Sequence, residues 1–417
     1  MIVVDREDPK SRIYDWNLKD RRVAVARKPP QLLDETIRDG LQSPTVRDPS
    51  IDDKLALIRA MVRLGIHAVN LGLPGAGPRA RADVARLLGA IVDEKLPIVA
   101  TCAARTVLAD ITPALELAQQ LGAPLEVCMF VGSSPIRSHA EGWELDRLVQ
   151  VTREAVTAVV RAGLPATFVT EDTTRSHPAV LDTLFRVAID AGATRLVLAD
   201  TCGHATLDGV RNLVGFTRAV LRALDVEDRV AIDWHGHNDR GHALATALAA
   251  LELGVDRVHG CGLGLGERTG NAPMDLLLVN LELMGALDPA RHDLDGLVDY
   301  VRLVSRATGI PIPASYPLAG ADAFRTASGV HAAAVAKAVA RGDLELADRV
   351  YSSVPARRYG RSQEIAVGHY SGKANAAWWL THHGYPASDE LIGKILTHAK
   401  RMDRILTDDE LHALARP

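Results

Sequence analysis

Short apolar runs rich in β-branched residues recur eight times along the chain, and each is followed by a longer segment with helical periodicity, such as Leu145–Ala162. We predict strands at these runs, which are Gln31–Asp34, His67–Leu73, Pro97–Cys102, Leu125–Val131, Ala166–Thr170, Arg195–Ala199, Val230–His235 and Arg257–Gly260. Their spacing of roughly 25–40 residues is the size of one strand–helix unit. Eight such units within residues 31–308 predict an α/β fold, the (β/α)8 or TIM barrel.

A doubly wound open sheet is the alternative arrangement of alternating strands and helices. The first predicted strand is not followed by the glycine-rich phosphate turn that is typical of that fold. Polar residues instead follow the ends of several predicted strands, namely Arg38 and Asp39, Glu171 and Asp172, Asp200 and Thr201, and His235 and His237. Barrel enzymes build their active sites at the rim formed by the C-terminal ends of the strands, so the pattern favours the closed barrel.

Two further segments flank the predicted barrel. Residues 1–30 form a polar N-terminal extension, with Tyr14 and Trp16 as candidate anchors. The run Gly309–Pro313 resists regular structure because prolines alternate with other residues, and it marks a domain boundary. Residues 309–417 are predicted to form smaller, mostly helical C-terminal subdomains, with two helices between Ser388 and Leu414.

Composition and charge exclude several classes of protein. Among 417 residues, 47% are hydrophobic and 24% are charged, which is typical of a globular domain. A net charge of −4 provides no basic field for nucleic acid or an anionic membrane, and no apolar run reaches spanning length. The N-terminus lacks the apolar core of a signal peptide, and four scattered cysteines suit a reducing compartment. We expect a cytoplasmic protein without nucleic-acid or membrane partners.

Two histidines near the end of the seventh predicted strand form a candidate metal site. His235 and His237 point to the same face, because side chains alternate along a strand. Asp39, after the first strand, would supply the anionic oxygen that a hard divalent ion prefers. Two imidazoles and a carboxylate with open positions make a Lewis-acid site, which indicates an enzyme. The same donors are found around iron in oxygenases, so the residues alone leave the metal open.

Three motifs around these residues resemble the signatures of the isopropylmalate synthase and homocitrate synthase family, within the DRE-TIM metallolyase superfamily. The matching segments are Leu33–Ser43 (LDETIRDGLQS), His235–Asp239 (HGHND) and Gly264–Asn271 (GLGERTGN). The resemblance continues beyond the barrel through Ser328–His331 and Tyr351. The three motifs occur in the family's order and spacing, which makes the resemblance specific.

The resemblance implies the metal ligands and part of the catalytic machinery. The ligands would be Asp39, His235 and His237, with Asn271 in or near the coordination shell. The ion would be Mg²⁺, Mn²⁺ or Zn²⁺, since the donors are oxygen and imidazole nitrogen without thiolates. Arg38 would stand beside a carbonyl oxygen that becomes an alkoxide, although a salt bridge within the rim is its structural alternative.

Other residues acquire roles from the same resemblance. Glu171 is a candidate for acid–base chemistry. Thr201 would bind the carboxylate of a 2-oxo acid, unless its hydroxyl only caps the next helix. Gln42 is a substrate contact or a polar rim residue. The family brings the equivalents of His331 and Tyr351 over the barrel mouth from the partner subunit for proton transfer, which implies a homodimer.

Four positions depart from the family pattern. Asn70 stands where the family has a glutamate on the second strand, so Arg38 is expected to lose an ionic partner. Arg137 replaces a common histidine after the fourth strand and would face either an anionic group or solvent. Thr167 is a candidate substrate contact, and it stands where homocitrate synthases carry an arginine for the distal carboxylate of 2-oxoglutarate. Leu263 replaces a common asparagine, and the substrate-binding pocket is therefore not a standard one.

The sequence favours a metal-dependent Claisen-type condensation of an acyl-CoA, acetyl-CoA above all, with a 2-oxo acid. A lyase or aldolase that cleaves a hydroxyacyl-CoA or a 4-hydroxy-2-oxo acid is the alternative, and Cys261 is then the residue to compare with the reactive cysteine of such lyases. A non-catalytic relative that binds a metabolite is the third hypothesis. The large leucine-binding regulatory domain of isopropylmalate synthases is not expected, and the sequence does not specify the 2-oxo acid.

Overall fold

Eight parallel strands close into a barrel in the computed structural model, which describes residues 13–18 and 29–416. The strands are β1 (Gln31–Asp34), β2 (Ala68–Asn70), β3 (Val99–Arg105), β4 (Glu126–Gly132), β5 (Ala166–Glu171), β6 (Arg195–Asp200), β7 (Ala231–Gly236) and β8 (Arg257–Gly260). Each strand pairs with the next one in the sequence, and β1 pairs with β8. The predicted barrel is confirmed, and the open doubly wound sheet is excluded.

Ten helices accompany the barrel strands. They are α1 (Ile51–Arg63), α2 (Pro78–Asp93), α3 (Leu108–Leu121), α4 (Pro135–Glu141), α5 (Leu145–Arg161), α6 (Pro178–Asp190), α7 (Leu207–Ala223), α8 (Ala243–Glu252), α9 (Met274–Leu283) and α10 (Leu297–Thr308). In α5 one stripe is buried, made of Leu148, Thr152, Ala155, Val156 and Val159. This spacing of three and four residues is that of a helix with one face against the strands.

The second and third strands differ most from their predicted bounds. The second was predicted at His67–Leu73, but β2 ends at Asn70. The third strand was predicted at Pro97–Cys102, but β3 runs from Val99 to Arg105. Ala103 and its two neighbours carry no β-branched side chain, so their local preference for a strand is weak. Pairing with β4 holds them extended instead, with Ala103 opposite Cys128.

The interior of the barrel near the N-terminal ends of the strands is ionic rather than apolar. Arg257 at the start of β8 has no solvent exposure. Its Nε donates to Oδ2 of Asp233 at 2.7 Å, and its Nη2 donates to Oε1 of Glu126 at 2.5 Å. Arg195 adds a second cation beside Asp233. Buried charges are tolerated when they are paired in this way.

The C-terminal region has small cores of its own. It contains α11 (Gly329–Ala340), α12 (Leu344–Arg349), α13 (Lys373–His382), α14 (Asp389–Ala399), α15 (Asp408–Ala415) and the paired strands β9 (Arg325–Thr326) and β10 (Glu364–Ile365). The last two helices agree with the predicted pair between Ser388 and Leu414. One core forms around Trp379, Leu380 and Ile395, and another around Val335 and Ile365. The region starts irregularly, since α10 ends at Thr308 and β9 begins at Arg325.

A short helical turn, Ala356–Tyr359, attaches this region to the barrel. Arg358 pairs with Glu282 of α9 at 2.6 Å (Nε to Oε1), and the hydroxyl of Tyr359 donates to Oε2 of the same carboxylate at 2.5 Å. Tyr359 is buried in the main hydrophobic core. The contact therefore combines an ion pair with apolar burial.

The candidate N-terminal anchors are exposed. Tyr14 is 61% exposed and Trp16 is 71% exposed, and their rings meet edge to face at 4.9 Å. The other residues of the predicted extension, 1–12 and 19–28, lie outside the described part of the chain. None of the helices within the described ranges combines the length and the apolar character that a bilayer crossing requires.

The buried network around Arg257 should contribute strongly to stability. Arg257→Met leaves the carboxylates of Glu126 and Asp233 buried with fewer partners, so we expect the free energy of unfolding to fall by about 3–5 kcal/mol. Urea unfolding followed by circular dichroism measures this change. Arg59→Met, which removes only the surface pair with Glu94, is the control and should leave the urea midpoint nearly unchanged. Equal decreases in the urea midpoint for both substitutions would show that the buried network stabilises the fold no more than a surface ion pair.

Candidate metal centre and active site

Three predicted ligands converge at the C-terminal rim of the barrel. His235 lies in β7 and His237 directly after it, and Asp39 lies in the turn after β1. The Nε2 atoms of His235 and His237 are each 3.8 Å from Oδ2 of Asp39. One ligand atom from each of the three residues lies within 4.8 Å of the others. All three side chains are buried, so a cation held there would be largely shielded from solvent.

The protonation states fit a cation site. Burial would raise the pKa of Asp39, but the charges of Arg38, His235 and His237 outweigh it and lower the pKa below its ordinary value. Burial and the neighbouring His235 lower the pKa of His237 to about 4. A carboxylate and a neutral imidazole are the forms that bind a divalent metal ion.

Asn271 lies beside the three ligands. Its Nδ2 donates to Oδ1 of Asp39 at 2.8 Å and to the Leu265 carbonyl at 3.0 Å, and its backbone forms an antiparallel bridge with His237. Oδ1 of Asn271 and Nδ1 of His237 are buried and have no hydrogen-bond partner within the described part of the chain. Buried polar atoms without partners are rare. The free Oδ1 of Asn271, together with the oxygen and imidazole donors of the three ligands, fits a site for Mg²⁺, Mn²⁺ or Zn²⁺.

Gly266 allows Asn271 to approach Asp39. Its φ is 151°, and a Cβ placed there would lie 2.1 Å from Nδ2 of Asn271 and 2.9 Å from Oδ1 of Asp39. At these distances a Cβ at position 266 would displace the side chains of Asn271 and Asp39. Gly266 of the third motif is therefore required by the close packing of the site.

Arg38 reaches the site because β1 ends at Asp34 and the chain then turns. Nη1 of Arg38 donates to Oδ2 of Asp39 at 2.9 Å, and Nη2 donates to Oε1 of Glu35. Burial would lower the pKa of Arg38, but these two carboxylates raise it above its ordinary value. Nε of Arg38 is buried and unpaired within the described residues, which leaves a donor for a further acceptor.

Arg38 has no ionic partner on β2, as expected from Asn70, but a carboxylate from another element takes that place. Glu35 provides a carboxylate from the end of β1, and Nδ2 of Asn70 donates to Oε1 of Glu35 at 3.0 Å. The amide of Asn70 on β2 thus positions the carboxylate of Glu35, which in turn binds Arg38. Glu35 is 2% exposed, so these contacts form away from water.

Two residues of the site were missed by the sequence reasoning, Glu35 and His259. Nδ1 of His235 lies 2.7 Å from Oε2 of Glu35, and Nδ1 of His259 lies 3.4 Å from the same oxygen. Nε2 of His259 is 3.0 Å from Oδ2 of Asp233, which belongs to the ionic network around Arg257. A signal was present, because His259 and Asp233 are polar residues at inward positions of β8 and β7.

Glu171 ends β5 on the opposite side of the rim. Its Oε1 lies 3.4 Å from Nε of Arg137, which also pairs with Glu141 at 2.7 Å. Burial raises the pKa of Glu171, and the carboxylates of Asp172, Glu141 and Glu267 raise it further against the opposing charge of Arg137. Arg137 therefore faces the rim carboxylates rather than bulk solvent alone.

The wall between Glu171 and His235 is formed by a small side chain. Ala199 pairs with His235 across β6 and β7. Thr170 pairs with Leu198, so the next residues, Glu171 and Ala199, also lie beside each other. Ala199 therefore stands between the candidate base and a candidate ligand, and its side chain is only a methyl group.

One level deeper, the inward residues Phe130 and Val169 are paired and half-buried. Below them Cys128 and Thr167 are buried. The hydroxyl of Thr167 donates to Oε1 of Glu126 at 2.8 Å, so the structure gives this candidate substrate contact a partner in the ionic network. The space accessible from the rim thus ends at an apolar floor, which is formed by Phe130 and Val169.

Loops at the rim are braced by side-chain bonds. Oγ1 of Thr201 accepts a hydrogen bond from the backbone N–H of Asp172 at 2.8 Å, which leaves its own proton free to be donated. Arg175 binds both oxygens of Asp172 at 2.7 Å. Arg268 binds the carboxylate of Asp239, with Nε 3.0 Å from Oδ1, and the Thr201 carbonyl at 2.6 Å. The three residues hold the rim loops that follow β5, β6 and β7 together.

Gln42 is exposed at the rim. With Arg38 it lines a groove of about 530 Å³ between the segments that follow β1 and β2, which also contains Lys54 and Arg79. Lys54 is buried and paired with Asp48 and Asp83 at 2.7 Å. Gln42 therefore borders the space beside Arg38 and stays a candidate for substrate binding.

His331 and Tyr351 come together outside the barrel. Their ring centroids are 4.0 Å apart, and Tyr351 is 49% exposed. Within the described residues, no hydrogen bond or ring contact connects this pair to the three candidate ligands. The pair forms an exposed surface of the C-terminal region.

Cys261 and Leu263 follow β8. Cys261 is fully buried, and burial raises the pKa of its thiol well above the ordinary value, with Asp39 adding to the shift. A reactive cysteine needs a lowered pKa and access to the substrate. Leu263 has a φ of 57°, a conformation that asparagine adopts more readily, and its N–H donates to Asp275 at 2.9 Å.

The sequence profile of the HMGL-like family matches residues 29–304, which span the barrel. The chain belongs to this family. The resemblance drawn from the three motifs is thereby confirmed, and the protein is an enzyme of the DRE-TIM type, a group that depends on divalent metal ions.

Similar proteins are known by sequence and by structure. The 2-isopropylmalate synthase of Xanthomonas axonopodis pv. citri is 28% identical over 394 residues, covering 92% of this chain and 72% of that protein. Homocitrate synthase AksA of Methanopyrus kandleri is 28% identical over 387 residues, covering 92% and 91%. The fold is similar to hydroxymethylglutaryl-CoA lyase of Pseudomonas aeruginosa, with a TM-score of 0.56 and 21% identity over 67% of this chain and 93% of that one.

Substitution of Gly266 tests the packing of the metal centre. Gly266→Ala should weaken Mn²⁺ binding, because the new methyl group displaces Asn271 and Asp39. Isothermal titration calorimetry measures the affinity. Gly285→Ala is the control, since Gly285 also has a positive φ but nothing lies within 4 Å of a Cβ there. Unchanged affinity in Gly266→Ala would show that the close approach is irrelevant to the metal ion.

Proposed function

We propose that this enzyme condenses an acyl-CoA, foremost acetyl-CoA, with a 2-oxo acid to give a 2-alkylmalate-type hydroxy acid and free coenzyme A. The observation that carries the proposal is the buried group of Asp39, His235 and His237, with Arg38 bonded to it. Relatives named 2-isopropylmalate synthase and homocitrate synthase that cover most of the chain support it.

Asp39, His235 and His237 would hold the divalent cation, and Asn271 would orient Asp39 through its amide. When bound, such an ion supplies Lewis-acid polarisation of a carbonyl group. The carboxylate of Asp39 and the two imidazoles are acceptable to Mg²⁺, Mn²⁺ and Zn²⁺.

Arg38 and Thr201 would bind the 2-oxo acid. The guanidinium of Arg38 carries a permanent charge into a buried site, where it would stabilise the alkoxide that forms from the keto oxygen. The hydroxyl of Thr201 accepts the Asp172 N–H and so has its own proton available for the substrate carboxylate.

Glu171 would act as the general base, because its raised pKa brings it closer to the operating pH. It would accept a proton from the methyl group of the thioester. His331 and Tyr351 would complete the proton relay from the partner subunit of a homodimer, since the pair is exposed and unconnected to the site on its own chain.

The reaction balances without an oxidant or reductant. A carbon–carbon bond forms between the former methyl carbon of acetyl-CoA and the keto carbon, whose oxygen then takes up a proton. Water next cleaves the thioester bond, which yields a carboxylate and the coenzyme A thiol. The acyl group is thereby converted into part of an alkyl chain.

The apolar floor supports a 2-oxo acid with a short apolar side chain. Such a chain would lie in front of Ala199 and end against Phe130 and Val169. A second carboxylate would instead approach the charge of Glu171, which already shares Arg137 with Glu141. Desolvating an anion there without a free cation would be costly.

The lyase or aldolase reaction is the alternative, because the same metal site can serve cleavage. Asn70, in place of the family's glutamate, favours this alternative because it alters the site. The buried, high-pKa thiol of Cys261 argues against the cysteine-dependent lyase chemistry.

A substrate panel tests the proposal directly. With Mg²⁺ or Mn²⁺, acetyl-CoA and a 2-oxo acid with a short apolar side chain should release free thiol, and EDTA should abolish the reaction. Asp39→Asn should lose both activity and metal binding, because it removes an anionic ligand. Pyruvate, 2-oxobutanoate and 3-methyl-2-oxobutanoate should be better substrates than 2-oxoglutarate. Cleavage of a hydroxyacyl-CoA without any condensation would replace this proposal with the alternative.

The pH dependence of kcat/KM tests the role of Glu171. As a base it must be deprotonated, so its raised pKa puts the acid limb above the ordinary glutamate range. Arg137→Met removes a charge that lowers this pKa and should move the limb to higher pH. Glu141→Gln removes a charge that raises it and should move the limb to lower pH. Shifts in the same direction, or none, would exclude Glu171 as the titrating group.

A further inference from the structure

We infer that Glu35 is a positioning residue of the metal centre, which fixes the imidazole of His235 and shares the guanidinium of Arg38 with Asp39. This inference rests on the metal site of the proposed function. Glu35 does not belong to the three candidate ligands. It acts on the site through two of the side chains that form it.

The first effect concerns which nitrogen of His235 faces the cation. Nδ1 lies 2.7 Å from Oε2 of Glu35, whereas Nε2 lies 3.8 Å from Oδ2 of Asp39. A negatively charged carboxylate oxygen 2.7 Å from Nδ1 favours a proton on that nitrogen, because the positive end of an N–H bond is attracted to it. The lone pair of Nε2 is thereby directed at Asp39 and His237, where a cation would bind.

The second effect concerns competition for Asp39. Arg38 donates to Asp39 through Nη1 at 2.9 Å and to Glu35 through Nη2. A guanidinium that paired with Asp39 alone would compete with a metal ion for the same oxygens. Glu35 neutralises part of that charge and holds the other end of the guanidinium, so Asp39 retains anionic character for the cation.

Glu35 is itself held by one further hydrogen bond and by a nearby imidazole. Asn70 donates to its Oε1 at 3.0 Å, and His259 lies 3.4 Å from Oε2. His259 in turn lies 3.0 Å from Asp233, which is paired with Arg257 at 2.7 Å. The rim of the barrel is thus connected to the ionic network near its other end, and the Glu35 carboxylate has little freedom to move.

Mn²⁺ affinity in the absence of substrate tests the inference. Glu35→Gln keeps the size of the side chain but removes its charge, and we expect about 10–100-fold weaker binding, as for other residues that orient metal ligands. Asp34→Asn is the matched control. It makes the same change one residue away, at a buried carboxylate that binds Tyr300 and Thr36 instead of metal ligands, and it should leave the affinity unchanged.

The tautomer of His235 provides a second readout that needs no variant of Glu35. In ¹⁵N-histidine-labelled protein with Mg²⁺ bound, long-range ¹H–¹⁵N spectra should show the proton of His235 on Nδ1, with the signal assigned from His235→Asn. A proton on Nε2, or wild-type Mn²⁺ affinity in Glu35→Gln, would overturn the inference and leave the proposed function standing. Failure of the wild-type protein to bind any divalent cation would remove both.

Discussion

Parallel pairing between β1 and β8 is the constraint on which the site depends. It closes the barrel, and it brings the turn after β1 next to the ends of β7 and β8. Asp39 and His237 are far apart in the sequence but become neighbours through this closure. Without this closure, the carboxylate and the two imidazoles would be buried apart from one another. Their mutual contacts would then offset little of the free-energy cost of burying them.

Buried charge is the second feature that organises the molecule. The ionic network around Arg257 fills the barrel near the N-terminal ends of the strands, and His259 connects it to Glu35 at the rim. Ion pairs of this kind are costly to desolvate and strongly directional. Their consequence here is geometric, since each carboxylate orients the next cation or imidazole along the path to the metal centre.

The sequence predicted residues whose roles follow from strand periodicity, and it missed those that depend on neighbouring strands. His235 and His237 share a face because of the alternation along β7, so their pairing was predictable. The partner of Arg38 was not, because Glu35 and Asn70 meet only through the pairing of β1 with β2. Thr167 was expected at the substrate, yet its hydroxyl binds Glu126 of the adjacent strand.

Eight apolar runs at regular spacing determined the alternation of strands and helices, and the polar residues after the strand ends favoured the closed barrel over an open sheet. Both patterns are local properties of the chain. The motifs likewise determined the family and the identity of the candidate metal ligands. Tertiary structure alone decided which charges neutralise each other and where the accessible space ends. Register between strands sets those contacts, because it decides which inward side chains stand on the same level of the barrel.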